Sequence, residues 1–310
     1  MTVELHGLTK FYGRGRRRRA ALDGLGMTAR AGEVLGLLGP NGSGKTTALR
    51  CLLGMTRADS GTITVLGRTV PHQLPEISCS VGALIEASPV PRGLTARHFL
   101  HQVTALAGLP RSRVDATLEL VGLAGRADEA VTGYSLGMRQ RLGIALALVH
   151  DPALVVLDEP ANGLDPQGIR WLRSLLGQLR DEGRTVILSS HLLSEAQLVC
   201  DSVVVVEAGR TLLAGRVDEL ITPQADRALI TCSDPDSGAG VLRNSGATAE
   251  AVEAGEAGVL DVRGIPVEKA VEALVHAGQT PLEVRRHRPS LEELFLASVS
   301  GDGTKPESGA

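Results

Sequence analysis

The sequence predicts an α/β protein with a layered, mostly parallel sheet over residues 1–220, a small α+β unit over 221–299 and a disordered tail over 300–310. Three observations predict it. Segments of strand and helix character alternate along the first 220 residues. Several of the strands are unbroken apolar runs, as expected where helices cover both faces of a sheet. The composition then changes after Leu220, where Thr222-Pro223 breaks the pattern and shorter elements follow.

The elements follow in order. A strand at 34–38 runs into a Gly-rich turn, and a helical pattern occupies 45–53. Strands are expected at 61–66 and 81–85, and helices with Gly or Pro stops at 95–108 and 113–121. An apolar helix at 142–149, a buried strand at 153–157, a helix at 168–182 and strands at 186–189 and 203–207 complete a βαβ order throughout this half. In the second unit, strands at 228–232, 259–262 and 282–285 alternate with helices at 267–276 and 291–299, while 234–240 and 255–258 read as loops.

Bulk properties narrow the function. With 310 residues and 32.4 kDa, the chain is long enough for a large domain plus an appendage. Its net charge of −3 provides no basic field to draw it to nucleic acid, so none is expected as a partner. Cys51, Cys79, Cys200 and Cys232 lie far apart with no CxxC pair, which predicts reduced, mostly buried thiols in a cytosolic setting. The N-terminus does not look like a signal peptide. The longest apolar runs, 144–149 and 203–206, fall far short of the roughly 18 residues needed to cross a bilayer, so any membrane role is expected to be peripheral.

Gly39-Pro40-Asn41-Gly42-Ser43-Gly44-Lys45-Thr46 matches GxxxxGK[ST] directly after a strand and directly before a helix. Glycines let successive backbone N–H groups converge on phosphate oxygens, and the helix N-terminus adds partial positive charge. A nucleoside triphosphate is the predicted ligand, held by Gly39, Asn41, Gly42, Ser43, Gly44, Lys45, Thr46 and Thr47. Lys45 would reach the β- and γ-phosphates and the Thr46 hydroxyl would ligate Mg²⁺. Downstream, the apolar strand Leu154-Val155-Val156-Leu157 delivers Asp158 and Glu159 at its C-terminal end, where open α/β sheets bind ligands. Asp158 is expected to hold Mg²⁺, and Glu159 to orient and deprotonate the attacking water.

Between these motifs, Tyr134-Ser135-Leu136-Gly137-Met138-Arg139-Gln140-Arg141 opens an apolar helix, 23 residues (158 − 135) separating Ser135 from Asp158. This segment resembles the LSGGQ signature of ATP-binding cassette (ABC) ATPases, in the YSLGM variant of bacitracin- and daunorubicin-resistance exporters. Leu136 stands for the first Gly and Met138 for the Gln. The resemblance covers residues 2–220 and implies further roles. Tyr12 looks like the aromatic on which adenine stacks, and Glu86 occupies the place of a Gln at the end of the 81–85 strand, near Mg²⁺. Ala161-Asn162-Gly163-Leu164-Asp165-Pro166 resembles the D-loop, and His191 the switch histidine facing the γ-phosphate. The appendage, ending in Ser290-Leu291-Glu292-Glu293-Leu294-Phe295-Leu296, also looks like that of such exporters.

The resemblance therefore implies an ABC cassette with antiparallel β and helical subdomains, hydrolysing ATP with Mg²⁺. It implies a head-to-tail homodimer in which Ser135, Gly137, Met138 and Asp165 of one copy close over nucleotide held by 42–47 of the other. Movement would pass through 86–100 to a separate integral-membrane permease exporting a drug, antibiotic, lipid or peptide, with the chain peripheral at the cytoplasmic face. Two rival functions fit the sequence less well. A soluble ABC ATPase of ribosome or DNA usually carries two cassettes or a long coiled-coil insertion, and a nucleotide-dependent kinase or switch would lack the signature helix and the histidine. Arg14 and Arg16 to Arg19 form a basic insertion, read as a solvated loop or as an attraction to anionic lipid headgroups.

Overall fold

The computed structural model describes residues 1–15, 18–85, 93–222, 226–251 and 258–299. Glu86 and the predicted tail at 300–310 lie outside the described residues. Two compact units are present, one built on residues 1–217 and the other spanning Asp218–Leu294.

The first unit contains two sheets. Strands β1 (Val3–Tyr12), β2 (Arg19–Ala29), β4 (Ser60–Val65) and β5 (Arg68–Thr69) pair antiparallel in the order β2-β1-β4-β5. The larger sheet has the order β10-β9-β3-β8-β7-β6, from β3 (Val34–Leu38), β6 (Val81–Leu84), β7 (Leu154–Leu157), β8 (Thr185–Ser190), β9 (Ser202–Glu207) and β10 (Arg210–Arg216). It is parallel except for β10, which returns antiparallel along β9. Every residue of β3, β7 and β8 is buried, the signature of central strands covered on both faces. Helix α1 (Lys45–Leu52) lies in the core between the sheets, where Ala48, Leu49 and Leu52 join Leu5, Leu22, Leu25, Leu35, Val156 and Ile187.

The expected βαβ order does not hold throughout this half. Its first thirty residues form the β1–β2 hairpin pair, and β9–β10 is another antiparallel connection. The reason lies in period: β1 alternates buried and exposed positions, with bulges that shift its register, so it lacks the apolar run of a central strand. Short helices α2 (Leu74–Ile77), α7 (Leu193–Ala196) and α8 (Val217–Leu220) fill connections. Between β6 and β7 the chain forms α3 (Ala96–Leu106), α4 (Ser112–Leu120) and α5 (Leu136–Leu148), the expected helical subdomain. Helix α6 (Pro166–Asp181) follows β7.

The second unit runs β11 (Arg227–Cys232), α9 (Pro235–Asn244), β12 (Thr248–Ala251), β13 (Val259–Arg263), α10 (Val267–His276), β14 (Pro281–Arg286) and the first residues of α11 (Leu291–Val299), ending at Leu294. Its antiparallel sheet has the order β12-β13-β11-β14, the split βαβ arrangement of ferredoxin-like folds. Residues 234–240, read from sequence as a loop, instead open α9. The Asp234 side chain accepts from Ser237 N at 3.1 Å, Pro235 takes the first helical position, and Gly238, Ala239 and Leu242 pack into the core. The Pro, Ser and Gly content suggested a turn, and burial of one face overrode that propensity. Of the predicted 255–258 loop, only Gly258 is among the described residues.

Candidate active site

In the sheet order β3-β8-β7, the C-terminal ends of three adjacent parallel strands carry the phosphate-loop motif, His191 and the Asp158-Glu159 pair respectively. That adjacency brings together residues separated by more than a hundred positions. Gly39 and Gly44 take φ of 148° and 111°. A Cβ would lie 2.1 Å from Val206 O at Gly39 and 2.4 Å from Ala21 O at Gly44, so both positions require glycine for shape as well as for dihedral angle. Lys45 Nζ, almost wholly buried, donates to Gly39 O at 2.8 Å and Pro40 O at 3.2 Å. The Ser43 hydroxyl is buried with no hydrogen-bond partner among the described residues. An orphaned polar group inside a glycine-lined loop is the expected mark of a site built to receive phosphate oxygens.

Thr46 Oγ1 donates to Asp158 Oδ2 at 2.8 Å, and Ser189 Oγ donates to Asp158 Oδ1 at 2.5 Å. Ser189 Oγ also accepts from Glu159 N at 2.8 Å, fixing the two acids relative to each other. Glu159 stands in the left-handed region at φ 47°, a strained conformation for a residue with a side chain. Its carboxylate lies between two cationic or donor groups, Lys45 Nζ at 3.4 Å and His191 Nδ1 at 2.8 Å. The hydroxyl and carboxylate oxygens of Thr46 and Asp158 are hard donors suited to Mg²⁺, which needs few protein ligands beside a polyphosphate.

An open cleft of about 430 Å³ extends from the loop to the β1–β2 hairpin, lined by Tyr12, Arg19, Asn41, Gly42, Thr47 and Glu159 among others. Tyr12 is 44% exposed, so it is not a core aromatic, and Lys10 Nζ lies 5.7 Å from its ring centroid. Arg19 stands directly opposite Tyr12 in the strand register. The guanidinium of Arg18 instead lies 3.9 Å over the Phe11 ring, and Arg16 and Arg17 are outside the described residues.

Ser135, Gly137, Met138 and Asp165 form a second cluster. Ser135 caps α5 by accepting from Met138 N at 3.2 Å, and Asp165 caps α6 by accepting from Gly168 N at 2.7 Å. Together with Leu136, Gly163 and Arg141 they line another open cleft, of about 590 Å³, which shares no residue with the first. A single copy therefore presents the two halves of the predicted nucleotide site as separate surfaces.

Residues 22–162 match the ABC transporter family. The chain is 34% identical over 303 residues to the bacitracin transport ATP-binding protein BcrA of Bacillus licheniformis, covering 96% of this chain and 97% of that protein. The chain belongs to the ABC transporter family. This ABC ATPase is also 38% identical over 224 residues to the Nod factor export ATP-binding protein I of Ralstonia nicotianae, covering 71% of this chain and 68% of that protein. The cassette aligns with CbiO1 from Clostridium perfringens, part of an ABC transporter complex, with a TM-score of 0.63 and 29% identity over 70% of this chain and 89% of that one. It is an ATP-binding and ATP-hydrolysing transporter subunit, and the resemblance to exporter ATPases of the bacitracin type is met by its relatives.

Three residues that lie at the candidate site carry no distinct signal in the sequence. Ser189 was legible only as a polar residue ending a buried strand, Arg19 as one of a run of arginines, and Gln140 as a helix residue beyond the signature. Gln140 Nε2 in fact donates to Pro160 O at 3.2 Å, in the turn that follows Glu159.

Proposed function

We propose that this ATPase powers export through a separate membrane permease, hydrolysing Mg²⁺-ATP at sites completed by a second copy. The observation that carries the reading is the cluster of Lys45, Thr46, Asp158, Glu159 and His191 around one loop, with Ser135 and Gly137 lining a different cleft. A head-to-tail pair of copies would place the second surface over the first.

In this reading the backbone amides of 42–47 and the Lys45 ammonium bind the triphosphate, and Lys45 exchanges its Gly39 and Pro40 carbonyl partners for phosphate oxygens. Tyr12 offers its exposed ring to the base, a contact of about 1–3 kcal/mol. Thr46 and Asp158 would hold Mg²⁺, which would supply positive charge to the triphosphate. Glu159 accepts the proton of the attacking water, and His191 holds that carboxylate in place through its Nδ1 contact. Ser135 and Gly137 of the partner copy supply the N-terminus of α5 to the γ-phosphate. Met138 and Asp165 line the same approach.

No helix among the described residues is long and apolar enough to cross a membrane. In this reading a separate permease carries the cargo, a drug, antibiotic, lipid or peptide, and holds the ATPase at the cytoplasmic face. The named relatives, which serve bacitracin transport and Nod factor export, support export.

Glu159→Gln tests the reading. Hydrolysis is expected to fall about 10²- to 10⁴-fold, and the variant to elute as a dimer in Mg²⁺-ATP and as a monomer without it. Unimpaired turnover would remove Glu159 from the role of base, and a monomer under both conditions would remove the completed site.

A further inference from the structure

The β1–β2 hairpin puts a cation beside the aromatic ring at the open end of the nucleotide cleft. Tyr12 and Arg19 are paired directly across the two strands, so their side chains stand on one face of the hairpin, and both line the cleft. Arg18, one residue earlier, serves the other face, where its guanidinium lies 3.9 Å over the Phe11 ring. Among the described residues no ion pair or hydrogen bond engages the Arg19 guanidinium. Lys10 holds its ammonium 5.7 Å from the Tyr12 ring centroid and is itself occupied, donating to Arg57 O at 2.6 Å.

The hydrogen-bonding character of this end is one-sided. Beside Tyr12 its walls are Arg19, Ala20 and Ala21, and the one acid among the described lining residues, Glu159, stands at the phosphate end against Lys45. A guanidinium offers five N–H donors in a fixed fork and accepts nothing. Guanine and hypoxanthine present two acceptors side by side, O6 and N7, which fit that fork. Adenine presents N7 beside its N6 amino donor, and a donor set against a donor goes unpaired. Side chains that read adenine are amides, which donate and accept at once, and the amide lining this cleft, Asn41, belongs to the phosphate loop. We propose that Arg19 is a specificity-determining residue that turns the site toward 6-oxopurine nucleoside triphosphates, so that the chain hydrolyses GTP as well as ATP and binds GTP the more tightly. The proposal rests on the reading that Tyr12 stacks on the base. The reaction keeps its form: the water oxygen bonds to the γ-phosphorus, the bond from that phosphorus to the bridging oxygen breaks with its electron pair leaving on GDP, and Glu159 takes the water's proton.

Competition titrations of the full chain in Mg²⁺, displacing a ribose-labelled fluorescent ATP, measure the preference. GTP is expected to bind about tenfold more tightly than ATP, the discrimination of one bidentate pair. ITP, which has O6 and N7 but no 2-amino group, should follow GTP, and 7-deaza-GTP, which lacks the N7 acceptor, should lose the advantage. These comparisons need no variant. Arg19→Ala should lower the GTP-to-ATP affinity ratio about tenfold, and Arg19→Lys, which keeps the charge without the fork, should not restore it. Arg19→Gln, whose amide pairs with N6 and N7 of adenine, should turn the preference toward ATP. Phosphate release from GTP and ATP should show the same ratio in kcat/KM. ATP binding serves as the internal control that each variant is folded.

A parent chain that binds ATP as tightly as GTP, 7-deaza-GTP that binds like GTP, or an Arg19→Ala variant in which both nucleotides weaken equally would each overturn the proposal; the last result would make Arg19 a phosphate contact. Tyr12→Ala separates this failure from that of the underlying reading. If it weakens every nucleotide while the GTP-to-ATP ratio ignores Arg19, the proposal alone falls. If it changes no affinity, the stacking reading falls and takes the proposal with it.

Discussion

At the scale of single residues, the site is governed by close approach and by hydroxyl bridging. Among the described residues Lys45 has no acidic partner nearer than Glu159 at 3.4 Å and is otherwise held by two carbonyls, so a phosphate can replace those weak partners. Lys45→Ala should cut hydrolysis by at least about 10²-fold and weaken Mg²⁺-ATP binding, which turnover assays and fluorescent-nucleotide titration would measure. Ser189 presents a finer case, since one hydroxyl donates to Asp158 and accepts from the Glu159 amide. Ser189→Ala leaves both acids in place and loosens their mutual orientation. Its kcat should fall by about tenfold with nucleotide affinity little changed, and an unaltered kcat would show that the bridge does not matter to the chemistry. Gly39→Ala must displace Val206 O, 2.1 Å from the new Cβ, and should cost several kcal/mol of stability, of the order seen for large backbone clashes, in a chemical melt.

At the scale of elements, strand ends and helix starts do the positioning. Helix α1 begins at Lys45, the proposed phosphate ligand, because Gly44 turns the chain and because Leu49 and Leu52 anchor the helix between two sheets. In the second unit, β11 and β13 are tied by an ion cluster: Arg227 grips Asp261 with Nε at 3.0 Å and Nη2 at 2.8 Å, and Arg263 adds Nη2 at 2.6 Å. Burial pushes the Asp261 carboxyl upward, but the two guanidinium groups outweigh it and hold the group at about 2, against its ordinary 3.8. A depressed folded value means that the contribution is full above about pH 4 and is lost as pH falls toward 2. That contribution is about 2 kcal/mol. Acid unfolding of the full chain, followed by a signal from the second unit, should therefore be shifted in Asp261→Asn, with the parent and variant converging near pH 2.

At the scale of the whole molecule, the proposed nucleotide site and signature surface line two separate clefts of one chain, and the proposed head-to-tail pair would bring them together. The chain should sediment with membranes only when its permease is co-expressed, and it should bring that integral protein down on purification with a change in ATP turnover. A chain that binds protein-free anionic vesicles equally well would instead point to the arginines at 14 and 16–19. Stripping Mg²⁺ with EDTA should abolish hydrolysis while leaving the fold intact, since the described residues hold no cluster of three or more metal-ligating His, Cys, Asp or Glu. A melt that collapsed on chelation would show a structural metal instead.

The sequence by itself determined the parts whose physics is local. A phosphate loop is eight consecutive residues with a helix behind them, and an apolar strand ending in two acids is equally contiguous, so both could be read before any fold was known. The helix caps at Ser135 and Asp165 are local in the same way. Tertiary structure decided the rest. Ser189 gains its role only because β8 lies between β3 and β7, and Gln140 only because α5 lands on the turn after β7. Composition took 234–240 for a loop because glycine and proline disfavour isolated helices, and packing against the sheet reversed that balance. Arg18 and Arg19, identical by sequence, part company because one stacks on Phe11 while the other lines the nucleotide cleft. Contacts between residues distant in sequence carry information that no window of the chain contains, since each depends on where two elements meet.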